Sequence, residues 1–338
     1  MVQDRHIAAP IEIDDAASVG SDPIESGSLE SGSYLASLSS SIREYKFVLP
    51  QAYIWASAYV AFQTSQNGRR YHAYHEGAYA IPNDDEEQDR MDLAHHIYRL
   101  LLKGDLQVAP VGTSPQRVLD LGTGTGIWAV QFAEYVHIEQ HDWVPPNCIF
   151  EIDDYESPWV YQTPFDFIHG RELEGCVADE DKLFRQAFEH LKPGGYFEFD
   201  GAHAVILSDD GTHENAPNFQ LFADELREAG RKFGKSFDNV PSWKEKMEKA
   251  GFTGVTEWVA KVPLRAWPKD EKLREIGKYQ QVQQMLAVES YTPGFFSRVL
   301  GWKNEETQVL IAKIRKELSD KSIHAYINTH FVYGQKPE

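Results

Sequence analysis

The chain has 338 residues, enough for one large domain or two small ones with a real core. Apolar residues make up 42% and charged residues 25%, while 33 basic against 52 acidic side chains leave a formal charge of −19. That balance disfavours a broad grip on nucleic-acid phosphates. Two cysteines, Cys148 and Cys176, exclude a disulfide framework or a cysteine-built zinc site and suit a reducing compartment. The start of the chain lacks a signal-peptide pattern, and the longest apolar run, residues 52–62, is too short to span a bilayer. The expectation is a soluble cytoplasmic or nuclear protein without nucleic-acid or membrane partners.

Residues 1–41 hold ten serines and seven acids against one arginine, with no periodic apolar pattern. Such a stretch buries too little to offset its ordering entropy, so a disordered acidic tail is expected. Residues 42–110 follow as an N-terminal cap segment with a helix, and residues 111–338 as the principal domain. Residues 45–62 are aromatic-rich and ambiguous, and Asn67-Gly68 is a turn signal. Asp84 is placed to cap a helix, with Glu87 completing a capping box and the acids facing the positive helix end. Met91, Ala94, Ile97, Leu100 and Leu101 continue a helical stripe, and Gly104 ends it.

The middle of the chain alternates. Residues 117–121 read as a buried strand, 127–136 as a helix, and 149–152 and 165–169 as strands. Residues 179–191 read as a helix, 192–195 as a turn and 196–199 as a strand. Strands alternating with helices imply an α/β fold with a parallel sheet covered on both faces. Helices near 217–233, 242–250, 269–289 and 304–319 follow, with strands at 255–264 and 323–333. The last strand is expected as an antiparallel edge.

The strongest motif is Asp120-Leu121-Gly122-Thr123-Gly124-Thr125-Gly126, between a strand and a helix. Glycines there let the backbone turn tightly and approach a ligand, and the helix start offers free N–H groups. Position 127 is Ile, so the dinucleotide fingerprint is not met, and no lysine follows to make a P-loop. An acid ending the strand, then three alternating glycines, is the pattern that stands.

This motif resembles motif I of class I S-adenosylmethionine-dependent methyltransferases. Residues 165–171, 190–198 and 250–252 resemble that fold's fourth strand, the turn into its fifth strand, and the entry to its sixth. Within the superfamily the chain is similar to the fungal LaeA-like group, also called UMTA or TAM-domain methyltransferases. The matching stretches include residues 67–72, 82–96, 124–129, 144–147, 263–268 and 324–326. The resemblance implies a Rossmann-like sheet with an antiparallel last strand and extra N-terminal helices. It also implies the cofactor S-adenosyl-L-methionine and a role in fungal secondary metabolism.

Carried over to this chain, the resemblance places Asp120, Gly122, Thr123, Gly124 and Gly126 along the methionine half of the cofactor. Asp153 or Asp154 would bond the adenine amine, and His169 and Arg171 would lie at the carboxyl end of the fourth strand. Tyr71 belongs to a segment expected to fold over the cofactor. Plainer readings stand beside these: turn acids for Asp153 and Asp154, structural hydrogen-bonders for His169 and Arg171, packing residues for Trp128 and Trp159. The pair His95-His96 lacks a third ligand at helical spacing, so no metal is expected.

The chain departs from the family in one respect that bears on the site. Residues 117–153 give room for a single βαβ unit, so the segment holding strand two and its ribose-binding acid looks deleted. Glu139 or Asp142 would have to substitute, or residues 149–153 would serve as strand two with Asp153 as the acid.

Methyl transfer from a sulfonium asks the protein chiefly for alignment and desolvation. A base is needed only where the nucleophile must lose a proton, and His203, just past the fifth strand, is the candidate. Two functions follow. One is methylation of a small-molecule acceptor. The other is LaeA-like regulation through protein partners, which the acidic tail allows.

Overall fold

The computed structural model describes residues 6–7, 9–14, 64–66, 69–71, 79–112, 115–136, 147–151 and 153–338. In chain order the strands and α-helices are β1 (His6–Ile7), β2 (Thr64–Gln66), β3 (Arg69–Tyr71), α1 (Asp85–Leu101), β4 (Val118–Leu121), α2 (Ile127–Val136), β5 (Phe165–Arg171) and α3 (Glu180–His190). They continue with β6 (Leu191–Leu207), α4 (Pro217–Phe233), α5 (Trp243–Ala250), β7 (Thr253–Pro263), α6 (Glu271–Tyr291), α7 (Asn304–Ser319) and β8 (Tyr326–Gln335). A π-helical stretch, Thr292–Val299, follows α6 directly.

One six-stranded sheet has the order β1-β7-β8-β6-β5-β4. Strands β4, β5 and β6 run parallel, and β8 is antiparallel to both β6 and β7. The last strand is therefore antiparallel as expected, but it is not an edge. Its neighbouring residues Phe331 and Val332 point to opposite faces and are both 0% exposed, which suits an interior strand.

Three further expectations change. Residues 6–7 and 9–14, inside the segment expected to be a disordered tail, run along β7 and the loop after it. The outer edge of β7 offers unpaired backbone groups, and the chain start uses them. His6 and Ile7 pair with Trp258 and Val259, and Asp14 N–H donates to the Trp267 carbonyl at 3.0 Å. The remainder of residues 1–41 lies outside the described residues, as does the Asn67-Gly68 turn between β2 and β3.

The strand expected at 149–152 does not form. Residues 149–151 are irregular, Ile149 is exposed, and Ile152 lies outside the described residues. Phe150 instead lays its ring over the glycine loop, 2.7 Å from where a Cβ on Gly126 would stand. The segment thus crosses the end of β4 rather than pairing along it. Among the described residues β4 is the sheet edge, and residues 137–146, where the missing strand would be sought, are outside them.

Helix α1 starts as its sequence predicts, with Asp84 accepting from Glu87 N–H at 3.2 Å. Glu87 does not complete the capping box. Its carboxylate turns inward and accepts from Arg90 Nε at 2.9 Å, because a guanidinium only 3% exposed requires a counter-charge.

The two faces of the sheet differ. One is apolar: Ile168, Phe197 and Phe199 pack against Leu183 and Phe184 of α3 and Trp243 of α5. On the other, Phe167 meets Trp128 and Phe132 of α2, and a row of charged side chains crosses the strands.

Candidate active site

The glycine loop follows β4 and leads into α2. Gly122, Gly124 and Gly126 have φ of +62°, +57° and +82°, a region that costs other residues about 1–2 kcal/mol each. Gly122 and Gly124 are exposed, so the loop presents bare backbone outward. Thr125 Oγ1 donates to Asp92 at 2.6 Å, which ties the loop to α1. Thr123 Oγ1 is buried without a partner among the described residues. An open glycine cradle holding an orphaned hydroxyl fits a polar ligand such as the cofactor's amino-acid end.

Behind the loop, Asp120, His169 and Glu198 lie side by side on β4, β5 and β6, and Arg171 and Asp200 form the next row. The period-two geometry of strands puts all five on one face. His169 Nδ1 donates to Asp120 at 2.7 Å, and its ring stacks on Trp128 at 3.8 Å and 4°. Burial opposes a charge on His169, but the hydrogen bond to Asp120 and the Asp200 carboxylate 3.8 Å from Nε2 outweigh it and raise its pKa. Burial and the adjacent Asp200 push the Glu198 carboxyl up to about 8. Both Glu198 oxygens accept from Val108 N–H, and Oε2 also accepts from Ala109 N–H.

Arg171 donates to the Leu106 carbonyl at 2.9 Å, approaches Asp200 at 3.4 Å and lies over the Tyr98 ring. His169 and Arg171 therefore act inside the protein. His169 holds Asp120, which sits at the end of β4 where the loop begins.

Three expected cofactor residues are engaged elsewhere. Asp154 accepts from Glu156 N–H at 2.9 Å and Ser157 Oγ at 2.8 Å, closing a turn. Asp153 accepts from Asp154 N–H and neighbours Tyr161, whose ring packs on Phe165 at the start of β5. That is the far end of β5 from the glycine loop. Tyr71 is 2% exposed with the Arg298 guanidinium 3.9 Å above its ring, in the hairpin that Arg69 pins to Asp84.

A cavity of about 810 Å³, counting its open mouth, lies at the carboxyl ends of β5 and β6. Its walls include Phe219, Phe222 and Phe237, with Gln280, Gln283 and Gln284 of α6. His203 lines it, and burial, then His330 and Arg227, lower its pKa to about 4. Of the aromatic residues on and after α6, Tyr291 lines the cavity, whereas Phe295 and Phe296 are fully buried core.

Glu172 and Glu174 also line it, and sequence reasoning missed them. A signal was present: two acids alternate immediately after a parallel strand, where ligands of such sheets bind. Glu172 takes φ +56°, a conformation no pattern of side chains announces. Between the two acids, Leu173 packs against the place where a Gly122 Cβ would stand, at 2.6 Å. The cavity and the glycine loop thus meet at one three-residue segment.

Residues 87–257 match the family described as a methyltransferase domain. The chain is 36% identical over 325 residues to methyltransferase pytC of Aspergillus terreus, covering 93% of this chain and 95% of that protein. It is 32% identical over 290 residues to the secondary metabolism regulator LAE1 of Cochliobolus heterostrophus, covering 81% and 94%. To the probable methyltransferase tdiE of Emericella nidulans it is 32% identical over 287 residues, covering 82% and 86%. Among solved structures, Haemonchus contortus phosphoethanolamine N-methyltransferase 2 aligns at 16% identity and a TM-score of 0.38, over 84% of this chain and 73% of that one. The chain belongs to the methyltransferase-domain family, within its LaeA-like group.

Proposed function

We propose that the enzyme methylates a small-molecule acceptor of fungal secondary metabolism, held in the cavity at the carboxyl ends of β5 and β6. The observation that carries this reading is the segment 172–174, which lines the cavity with Glu172 and Glu174 and packs Leu173 against the glycine loop. Donor and acceptor sites that share a wall meet the alignment requirement of a direct displacement.

S-Adenosylmethionine supplies an electrophilic methyl group on a sulfonium. Gly122, Thr123, Gly124 and Gly126 would hold it through backbone and the Thr123 hydroxyl, with Asp120 at the base of the loop. His169 orients Asp120, and Arg171 braces the strand end through the Leu106 carbonyl. Asp153, Asp154 and Tyr71 are left out of this set, given their other engagements. The apolar walls exclude water from the acceptor. His203, neutral at working pH, is free to take a proton from an acceptor that must lose one.

Calorimetric titration with S-adenosylmethionine and S-adenosylhomocysteine tests the proposed site. Micromolar binding that Gly124→Arg abolishes supports it. Absence of binding by a cooperatively folded protein overturns it. The similarity to LAE1 favours a second reading, regulation through protein partners. A partner captured by the full chain but not by a chain lacking residues 1–41 would support that reading.

A further inference from the structure

We propose that the cavity selects an amine-bearing acceptor: an apolar small molecule whose nitrogen is held by the carboxylates of Glu172 and Glu174. This rests on the reading of the cavity as the acceptor site. The charge of the cavity favours a cation. Among the described residues no lysine or arginine lines the cavity. The Arg90 guanidinium is bound to Glu87 at 2.8 Å and approaches Glu172 only to 3.8 Å. Glu172 and Glu174 thus draw on an arginine that Glu87 already engages.

The two carboxylates also lack a full set of hydrogen-bond donors among the described residues. Glu172 Oε1 accepts from Tyr98 Oη at 2.8 Å. Glu174 Oε1 accepts from Ala202 N–H at 3.1 Å. Glu174 Oε2 is buried over the bare backbone of Gly201 and has no partner among the described residues. A buried carboxylate oxygen without a donor is costly, and an ammonium in the cavity supplies both the donor and the charge.

Phe219, Phe222 and Phe237 give the rest of the cavity aromatic faces, which suit an apolar or aromatic body and attract a cation as well. Burial and the neighbouring Glu172 raise the Glu174 carboxyl well above the usual range. A site with that history ionises when a cation arrives.

The test uses matched probes on the full chain loaded with S-adenosylhomocysteine. Tryptamine and phenethylamine are titrated by calorimetry beside their alcohols, indole-3-ethanol and 2-phenylethanol, which have the same shape without the charge. The expected result is an amine preference of at least about tenfold, the value of one charged hydrogen bond. In Glu174→Gln that preference collapses toward unity, because the amide keeps the bond from Ala202 N–H but loses the charge. Glu172→Gln provides the second variant and reduces the preference in the same direction. Equal binding of amine and alcohol, or no binding of either to loaded protein, overturns the proposal. Failure to load with S-adenosylhomocysteine is a separate result and counts against the cofactor site instead.

Discussion

His169 is predicted to act on cofactor binding through Asp120, and two substitutions separate that role from packing. In His169→Ala the 2.7 Å bond to Asp120 and the 3.8 Å stack on Trp128 both vanish. In His169→Asn the amide nitrogen stands near the former Nδ1, so the donor to Asp120 is retained while the stack is lost. A hydrogen bond to a charged group contributes about 1.5–3 kcal/mol, and an aromatic stack about 0.5–1.5 kcal/mol beyond its area. The stack is a stability term and lowers the melting temperature of both variants. The bond reaches the glycine loop, so His169→Ala should bind S-adenosylhomocysteine roughly 10- to 150-fold more weakly, and His169→Asn within about threefold of the parent. Calorimetric titration and thermal melts in one buffer read both quantities. Parent-like affinity in His169→Ala, or equal losses in the two variants, would show that His169 does not act on the loop through Asp120.

Other outcomes follow from the same geometry. Glu198 binds a proton up to about pH 8 in the fold, whereas an unfolded glutamate releases it near pH 4. The native state then holds more protons across that window, so stability falls as pH rises through it. The raised His169 acts in the same direction, its contribution being lost as pH rises through its folded pKa. Melts from about pH 5 to 8 should show Glu198→Gln with a flatter alkaline decline than the parent; parallel curves would sink the assignment. Gly277→Ala lies inside α6, where alanine is the better helix former, but its Cβ would stand 2.1 Å from the Arg265 carbonyl oxygen. The clash should win by about 1–3 kcal/mol, and a raised melting temperature would contradict it. His203→Ala should lower turnover about 10²–10⁴-fold at saturating cofactor where the acceptor must lose a proton, with cofactor affinity retained. Unchanged turnover would remove His203 as the base.

Much of the architecture is written locally. The helix at 127–136, the helix at 304–319, the Asp84 cap and the glycine loop follow from short-range pattern, because periodicity, capping and positive-φ glycines are properties of neighbouring residues. The methyltransferase assignment is legible for the same reason, since its motif occupies seven consecutive positions, 120–126. Sheet order is not local. That β8 sits between β6 and β7, and that the chain start runs along β7, depends on which edges remain unpaired after the rest has folded.

The site divides the same way. Sequence alone identifies Asp120 and His169 as chemistry-bearing residues near strand ends. Only the packed sheet decides that they bond to each other, in register across two parallel strands. Sequence alone leaves Glu172 and Glu174 as two more acids in an acidic chain. Their placement beside an aromatic cavity, one oxygen without a partner among the described residues, comes from residues as distant as 98, 202 and 237 converging on one strand end. Burial makes those carboxylates consequential, and burial is a property of the assembled fold rather than of any segment.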